Sequence, residues 1–243
     1  MGELDGFDAV LFDLDGVITS TADQHYAAWK EMFDDFLRRR AERLGEPFRP
    51  FERDDYNRYV DGVPRYDGVR RFLEARGIRL EEGGADDSPD DETVLGLGDR
   101  KNDLVNRLIA EQGVKVYDDS VVLLRHLRRQ GVKTALVSSS RNAAAVLEVA
   151  GLTDLFDTRV DGEVAAELGL AGKPSPQTFL AAADRLGVPH HRAVVVEDAL
   201  SGVEAGRAGG FGLVVGVDRV GQAQALRDHG ADLVVADLAE LIR

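Results

Sequence analysis

The chain has 243 residues, enough for one large domain or two smaller ones with a sizeable core. Apolar residues make up 44% and charged residues 30%, the balance of an ordinary globular protein. With 30 basic against 44 acidic residues the net charge is −14, which argues against nucleic acid or an anionic membrane as a partner, and the lack of cysteine excludes disulfides and thiolate chemistry.

In chain order, residues 8–12 read as a buried strand that delivers Asp13 and Asp15 into a turn opened by Gly16. Grouped carboxylates repel one another and lose solvation at such a place. A Mg²⁺ ion, a phosphoryl group or both would offset that cost; an Asx turn closing the strand is the plain alternative. Residues 21–40 have helical spacing, with Trp29, Phe33 and Phe36 at i, i+4 and i+7. Gly45, Pro47 and Pro50 then break the pattern. Residues 54–76 are expected to form one helix with an apolar stripe at Val69, Phe72 and Leu73 and a stop at Gly77. The acidic stretch 81–92, with Gly83, Gly84 and Pro89, reads as a mobile surface loop. Helical spacing resumes over 100–112 through Leu104, Leu108 and Ile109.

From residue 114 strands and helices alternate. Helices are expected over 121–130, 142–150 and 175–186, and strands over 133–137, 156–160, 193–196, 211–217 and 232–235. Such alternation implies an α/β fold, a parallel sheet with helices on both faces. The opening strand therefore belongs with the later ones: residues 1–22 and 114–243 form the core, and 23–113 an all-helical insertion. In open α/β sheets chemistry collects outside the carboxyl ends of the strands. Asp13, Ser138 and the pair Glu197-Asp198 all lie there. The acidic pair reads either as a solvated corner or as part of an oxygen-only magnesium site.

Asp13-x-Asp15-Gly16-Val17 resembles the first motif of the haloacid dehalogenase superfamily of phosphoryl-transfer enzymes. The longer run through His25 and Trp29 to Lys30 resembles its β-phosphoglucomutase branch. Ser138 and Lys173, the latter within Gly172-Lys-Pro-Ser-Pro176, are similar to the second and third motifs. The resemblance implies a Rossmann-like core with an α-helical cap. It implies Asp13 as the nucleophile that becomes an acyl phosphate and Asp15 as general acid and base. Ser138 would hydrogen-bond the transferring group, and Lys173 would neutralise its charge. Mg²⁺ would sit on the Asp13 side chain, the Asp15 backbone carbonyl, Glu197 and Asp198.

In the insertion, Gly62-Val63-Pro64-Arg65-Tyr66-Asp67 resembles the segment whose Arg binds the substrate's nontransferring phosphate. Ser139, Ser140, Arg141 and Asn142 resemble the core loop that shares it, and Lys101, in Arg100-Lys-Asn-Asp103, would meet sugar hydroxyls. Thr21, His25 and Trp29 fall one helical turn apart. Thr21 reads as hinge-adjacent and His25 as a coupling or substrate residue, against the alternative of a capping Thr and a packed His. Asp61 and Gly68 depart from the branch pattern, which carries Lys and Ser there. The implied reaction is Mg²⁺-dependent interconversion of β-glucose 1-phosphate and glucose 6-phosphate through a 1,6-bisphosphate. A phosphatase of small sugar phosphates is the alternative. The expected partner is a phosphorylated sugar, with no nucleic acid and no membrane. A cytoplasmic setting fits the absence of a leader and of any run approaching the ~18 apolar residues of a span.

Overall fold

The structure is a computed structural model that describes residues 2–84 and 86–242. Strand β1 (Ala9–Phe12) is followed by the long helix α1 (Ala22–Leu44), the single turn α2 (Arg53–Asp55), a π-helical turn over Tyr56–Val60, then α3 (Arg65–Ala75) and α4 (Val94–Gln112). Next come α5 (Asp118–Arg129), β2 (Lys133–Val137), α6 (Ala143–Ala150), β3 (Thr158–Val160), α7 (Gly162–Glu167) and α8 (Gln177–Leu186). The chain finishes with β4 (Ala193–Glu197), α9 (Leu200–Ala208), β5 (Leu213–Val217), α10 (Ala223–Asp228) and β6 (Leu233–Val235). No helix among the described residues is long and apolar enough to cross a membrane.

The chain divides into two compact units. The first comprises the chain up to Ser20, the tripeptide Gly62–Pro64, and the chain from Val114 onward. Its six strands form one sheet in the order β3-β2-β1-β4-β5-β6, and every pairing is parallel. Parallel strands are covered on both faces, so their sequences run continuously apolar rather than alternating. All four residues of β1 are fully buried, as are Val194, Val195 and Val196 of β4. Strand β1 lies at the centre, with Phe12 opposite Leu136 on one side and Val196 on the other. The strand order reverses at β1, and the crevice at such a reversal is where open α/β sheets bind ligands.

The second unit comprises Thr21–Asp61 and Arg65–Gly113 and is helical throughout. Its core is aromatic: the Phe33 ring lies 5.3 Å from Trp29, 5.2 Å from Phe51 and 4.2 Å from Phe72. Gly68 faces the Trp29 ring, where even a Cβ would come within 3.3 Å of it. Packing against that ring leaves little room for the Ser expected of the branch pattern.

One expectation within this unit is corrected. Residues 54–76 do not form one helix: the first half widens into the π turn, and helical structure restarts only at Arg65. Pro64 explains the break, because it has no N–H to give and pushes Val63 out of helical geometry. The acidic stretch 81–92 is irregular and mostly exposed among its described residues, as a surface loop should be, and is tied down at several points. Asp87 accepts the Gly84 N–H at 3.0 Å and the Thr93 hydroxyl, and Asp91 accepts the Ser88 N–H at 2.7 Å. Glu82 pairs with Arg70, and the Val94 N–H reaches back to Glu81 O. Asp87 and Asp91 serve as turn acceptors, and Glu82 and Glu92 pair with Arg70 and Arg43. Short helices α7 and α10 were not expected; each has only six residues, too few for a clear period.

Candidate active site

Three strand ends and one loop build a buried charged cluster in the first unit. At the end of β1, the Asp13 N–H continues the ladder to Val196 O at 3.0 Å, which fixes the carboxylate at the carboxyl edge. Asp13 is only 6% exposed. Lys173 is held between Gly172 and Pro174, and the Lys173–Pro174 bond is cis. Its ammonium donates to Asp13 Oδ1 and Glu197 Oε1, each at 2.5 Å, and to Val137 O at 3.1 Å. The other Glu197 oxygen, Oε2, accepts the Asp198 and Ala199 N–H groups at 3.1 Å each. Both oxygens of Glu197 are thereby held in place.

Burial alone would drive Lys173 to lose its proton, but the Asp13 and Glu197 carboxylates outweigh it and raise the pKa above its ordinary value. Burial and the charge of Asp13 push Glu197 up to about 7, opposed by Lys173 and the Ala199 N–H. One ammonium therefore faces more negative charge than it can balance.

A divalent cation fits this imbalance. Asp13, Glu197 and Asp198 present carboxylate oxygens that all lie within 4.8 Å of one another, an all-oxygen donor set suited to a hard cation. The loop after β1 makes room for it. Gly16 adopts φ +94°, and a Cβ there would fall 1.8 Å from Asp198 Oδ2. Any other residue would be strained by its backbone and would also displace that carboxylate. The loop itself is rigid: the Gly16 N–H donates to Thr19 O at 2.7 Å, Ser120 Oγ donates to Val17 O at 2.6 Å, and Leu14, Val17 and Ile18 are fully buried. Asp15 lies half-buried on it.

Ser138, 2% exposed, follows β2 and accepts the Ser140 N–H at 3.1 Å. Ser140 Oγ in turn accepts the Asn142 N–H at 3.1 Å just before α6, while Arg141 is exposed. Ser139 Oγ donates to Gly62 O at 2.7 Å, so the tripeptide Gly62–Pro64 packs within the first unit. A Cβ on Gly202 would lie 1.8 Å from Glu197 Oε1, and one on Gly206 would lie 3.1 Å from Val195 and Val214. These two glycines lie inside α9 and let it approach the sheet. Gln222 Nε2 donates to Asp198 O at 3.0 Å, a support that no motif signalled.

In the second unit, Thr21 is buried immediately before α1 and His25 is half-buried one turn later. Lys101, 5% exposed, places Nζ 2.9 Å from His25 Nδ1 and 5.0 Å from the centre of the Trp29 ring. Burial first, and then the Lys101 charge, lower the His25 pKa well below its ordinary value, so the ring is neutral and accepts. Arg65 opens α3 and pairs with Asp99 at 2.8 Å. From sequence its acidic neighbours were Asp61 and Asp67, but Asp67 pairs instead with Arg70 at 2.6 Å. The Asp99 contact joins residues 34 apart, and nothing in local spacing signals it.

A buried Asp–Lys–acid cluster at the carboxyl edge of a Rossmann-like sheet defines a phosphoryl-transfer class. A family model described as haloacid dehalogenase-like hydrolase matches residues 7–210, and the chain belongs to that family. Its relatives place it more narrowly, in the β-phosphoglucomutase branch: the β-phosphoglucomutase of Mycobacterium bovis is 52% identical over 96% of this chain and 91% of its own length. The crystal structure of a β-phosphoglucomutase from Clostridium difficile is similar with TM-score 0.74 and 28% identity, over 97% of this chain and 93% of that one. A phosphorylated carbohydrates phosphatase of Thermotoga maritima is 29% identical over 94% of each.

Proposed function

We propose that the chain interconverts β-D-glucose 1-phosphate and glucose 6-phosphate in the cytoplasm, through an aspartyl-phosphate enzyme and glucose 1,6-bisphosphate. The observation that carries this reading is the buried contact of Asp13 with Lys173 at 2.5 Å, supported by the identity to a β-phosphoglucomutase. Asp13 is the nucleophile, because a carboxylate oxygen can attack phosphorus to form an acyl phosphate as the sugar oxygen departs, and is released again as a carboxylate when the acceptor hydroxyl takes the phosphoryl group. Lys173 holds Asp13 ionised and offsets charge on the equatorial oxygens, and Ser138 donates its hydroxyl to the same group. Asp15 gives a proton to the departing sugar oxygen and takes one from the attacking hydroxyl. Mg²⁺ bound by Asp13, Glu197, Asp198 and the Asp15 carbonyl would supply further positive charge at the phosphoryl group.

The bisphosphate must present either phosphate to Asp13, so the other one needs its own receptor. Arg65 is assigned that role, shared with Ser139, Ser140, Arg141 and Asn142, while His25, Trp29 and Lys101 meet the sugar and Thr21 and Gly62 shape the approach. A sugar-phosphate phosphatase is the second reading, favoured by the likeness to the Thermotoga maritima enzyme. A ³¹P NMR time course with β-glucose 1-phosphate, Mg²⁺ and trace bisphosphate separates them. The mutase reading expects glucose 6-phosphate to accumulate; release of inorganic phosphate without it would establish the phosphatase.

A further inference from the structure

We infer that Tyr66 and Asp99 form a cradle that fixes the Arg65 guanidinium as the receptor for a phosphate monoester dianion at the far end of the substrate. This rests on the proposed role of Arg65 and names the residues through which that role is set. Arg65 and Tyr66 are consecutive at the start of α3, and Asp99 lies on α4. Asp99 Oδ1 accepts the Tyr66 hydroxyl at 2.7 Å and Arg65 Nη2 at 2.8 Å. Nη2 also donates to the Tyr66 oxygen at 2.8 Å, closing a triangle in which each donor has an acceptor. The guanidinium carbon stands 4.7 Å from the Tyr66 ring centre, so the fork is held against an aromatic face as well.

The ring has a built seat. A Cβ on Gly98 would fall 2.5 Å from Tyr66 Cδ1, so α4 supplies in succession the gap for the ring and the carboxylate for its hydroxyl. The triangle engages one end of the fork. Arg65 Nε is buried with no hydrogen-bond partner, a donor left for an incoming acceptor. A freely rotating Arg would have to be ordered by each substrate; this one is ordered beforehand, and phosphate binding avoids that entropic cost. Tyr66 and Asp99 are thus positioning residues that act through Arg65.

The test compares Tyr66→Phe, Asp99→Asn, Arg65→Ala and the double variant Arg65→Ala/Asp99→Asn. Each is assayed for mutase turnover with glucose 1,6-bisphosphate and for hydrolysis of acetyl phosphate, which has no distal phosphate. The single cradle variants should raise KM for the bisphosphate roughly five- to tenfold with kcat changed far less, as expected for loss of a charge-assisted hydrogen bond. Acetyl phosphate hydrolysis should fall much less. The double variant should behave like Arg65→Ala alone, because the cradle has no second route to the substrate. Losses of equal size in both assays would mean a merely structural role and overturn the inference. So would an unchanged KM in both cradle variants while Arg65→Ala is impaired, an outcome that leaves the role of Arg65 standing. A lowered KM in Asp99→Asn would make Asp99 a competitor for Arg65, which also overturns it. Full mutase activity in Arg65→Ala would remove the receptor itself and the cradle with it.

Discussion

At the scale of single residues, the contrast between Asp13 and His25 shows how burial is put to two uses. Asp13 is buried in contact with an ammonium; His25 is held neutral beside one. Asp13→Asn keeps the volume but cannot form an acyl phosphate, so turnover should fall by at least about a thousandfold while the circular dichroism spectrum is retained. Activity near wild type in that variant would remove the nucleophile assignment. For His25 the sign follows from its lowered pKa. The unfolded chain takes up a proton as pH falls through about 6.5 and the folded protein does not, so stability is complete above that value and declines below it, by up to about 1.4 kcal/mol per pH unit. Urea midpoints between about pH 7 and 5 should therefore fall more steeply for wild type than for His25→Gln. Parallel profiles would show that His25 titrates normally. The acids were legible in sequence because they stand at or just after strand ends, and Lys173 because it lies in a recognisable Gly- and Pro-bounded run. Their partners were not: Tyr66 with Asp99, and Gln222 with Asp198, meet only through tertiary packing.

At the scale of elements, strands and long helices could be read from periodicity, and the boundaries moved where a local signal competed with it. Helix α4 begins at Val94, well before Arg100, because the Thr93 hydroxyl accepts the Gly96 N–H at 3.0 Å and caps it. Glycine-rich starts of this kind lack the apolar spacing that marks a helix. The same helical pattern over 54–76 misled because Pro64 weighs more than the periodic residues around it. Helix α9 carries the sharper consequence. Gly202→Ala should add about 1 kcal/mol of helix propensity. Against that, the new Cβ would overlap Glu197 Oε1, 1.8 Å away, and disturb the buried contact with Lys173. Breaking a buried ion pair costs about 3–5 kcal/mol, so the clash should win. Guanidinium unfolding should show Gly202→Ala less stable than wild type, and greater stability would mean that the Glu197 network yields without cost.

At the scale of the whole molecule, the proposed cation would couple the acidic cluster to stability. Three carboxylates against one ammonium leave a buried excess of negative charge, which a divalent ion relieves only in the folded state. Mg²⁺ at about a hundred times its dissociation constant should add about 2.7 kcal/mol of stability. Chelation should lower Tm and abolish turnover together, and calorimetric titration should show Gly16→Ala binding Mg²⁺ at least about tenfold more weakly. A Tm insensitive to both would place the cation elsewhere. The central position of β1 also sets a schedule for synthesis. Its two neighbours, β2 and β4, begin at Lys133 and Ala193. At a ribosomal rate of about 5–20 residues per second, β1 waits roughly ten to forty seconds for its second partner. During that interval most of the second unit's chain has emerged, while Ala9–Phe12 remains an apolar strand with an open edge. Stalled nascent chains ending before Ala193 should leave the β1 amides open to hydrogen exchange, so the strand that leads to Asp13 is exposed to chaperones and to mispairing as the protein is made.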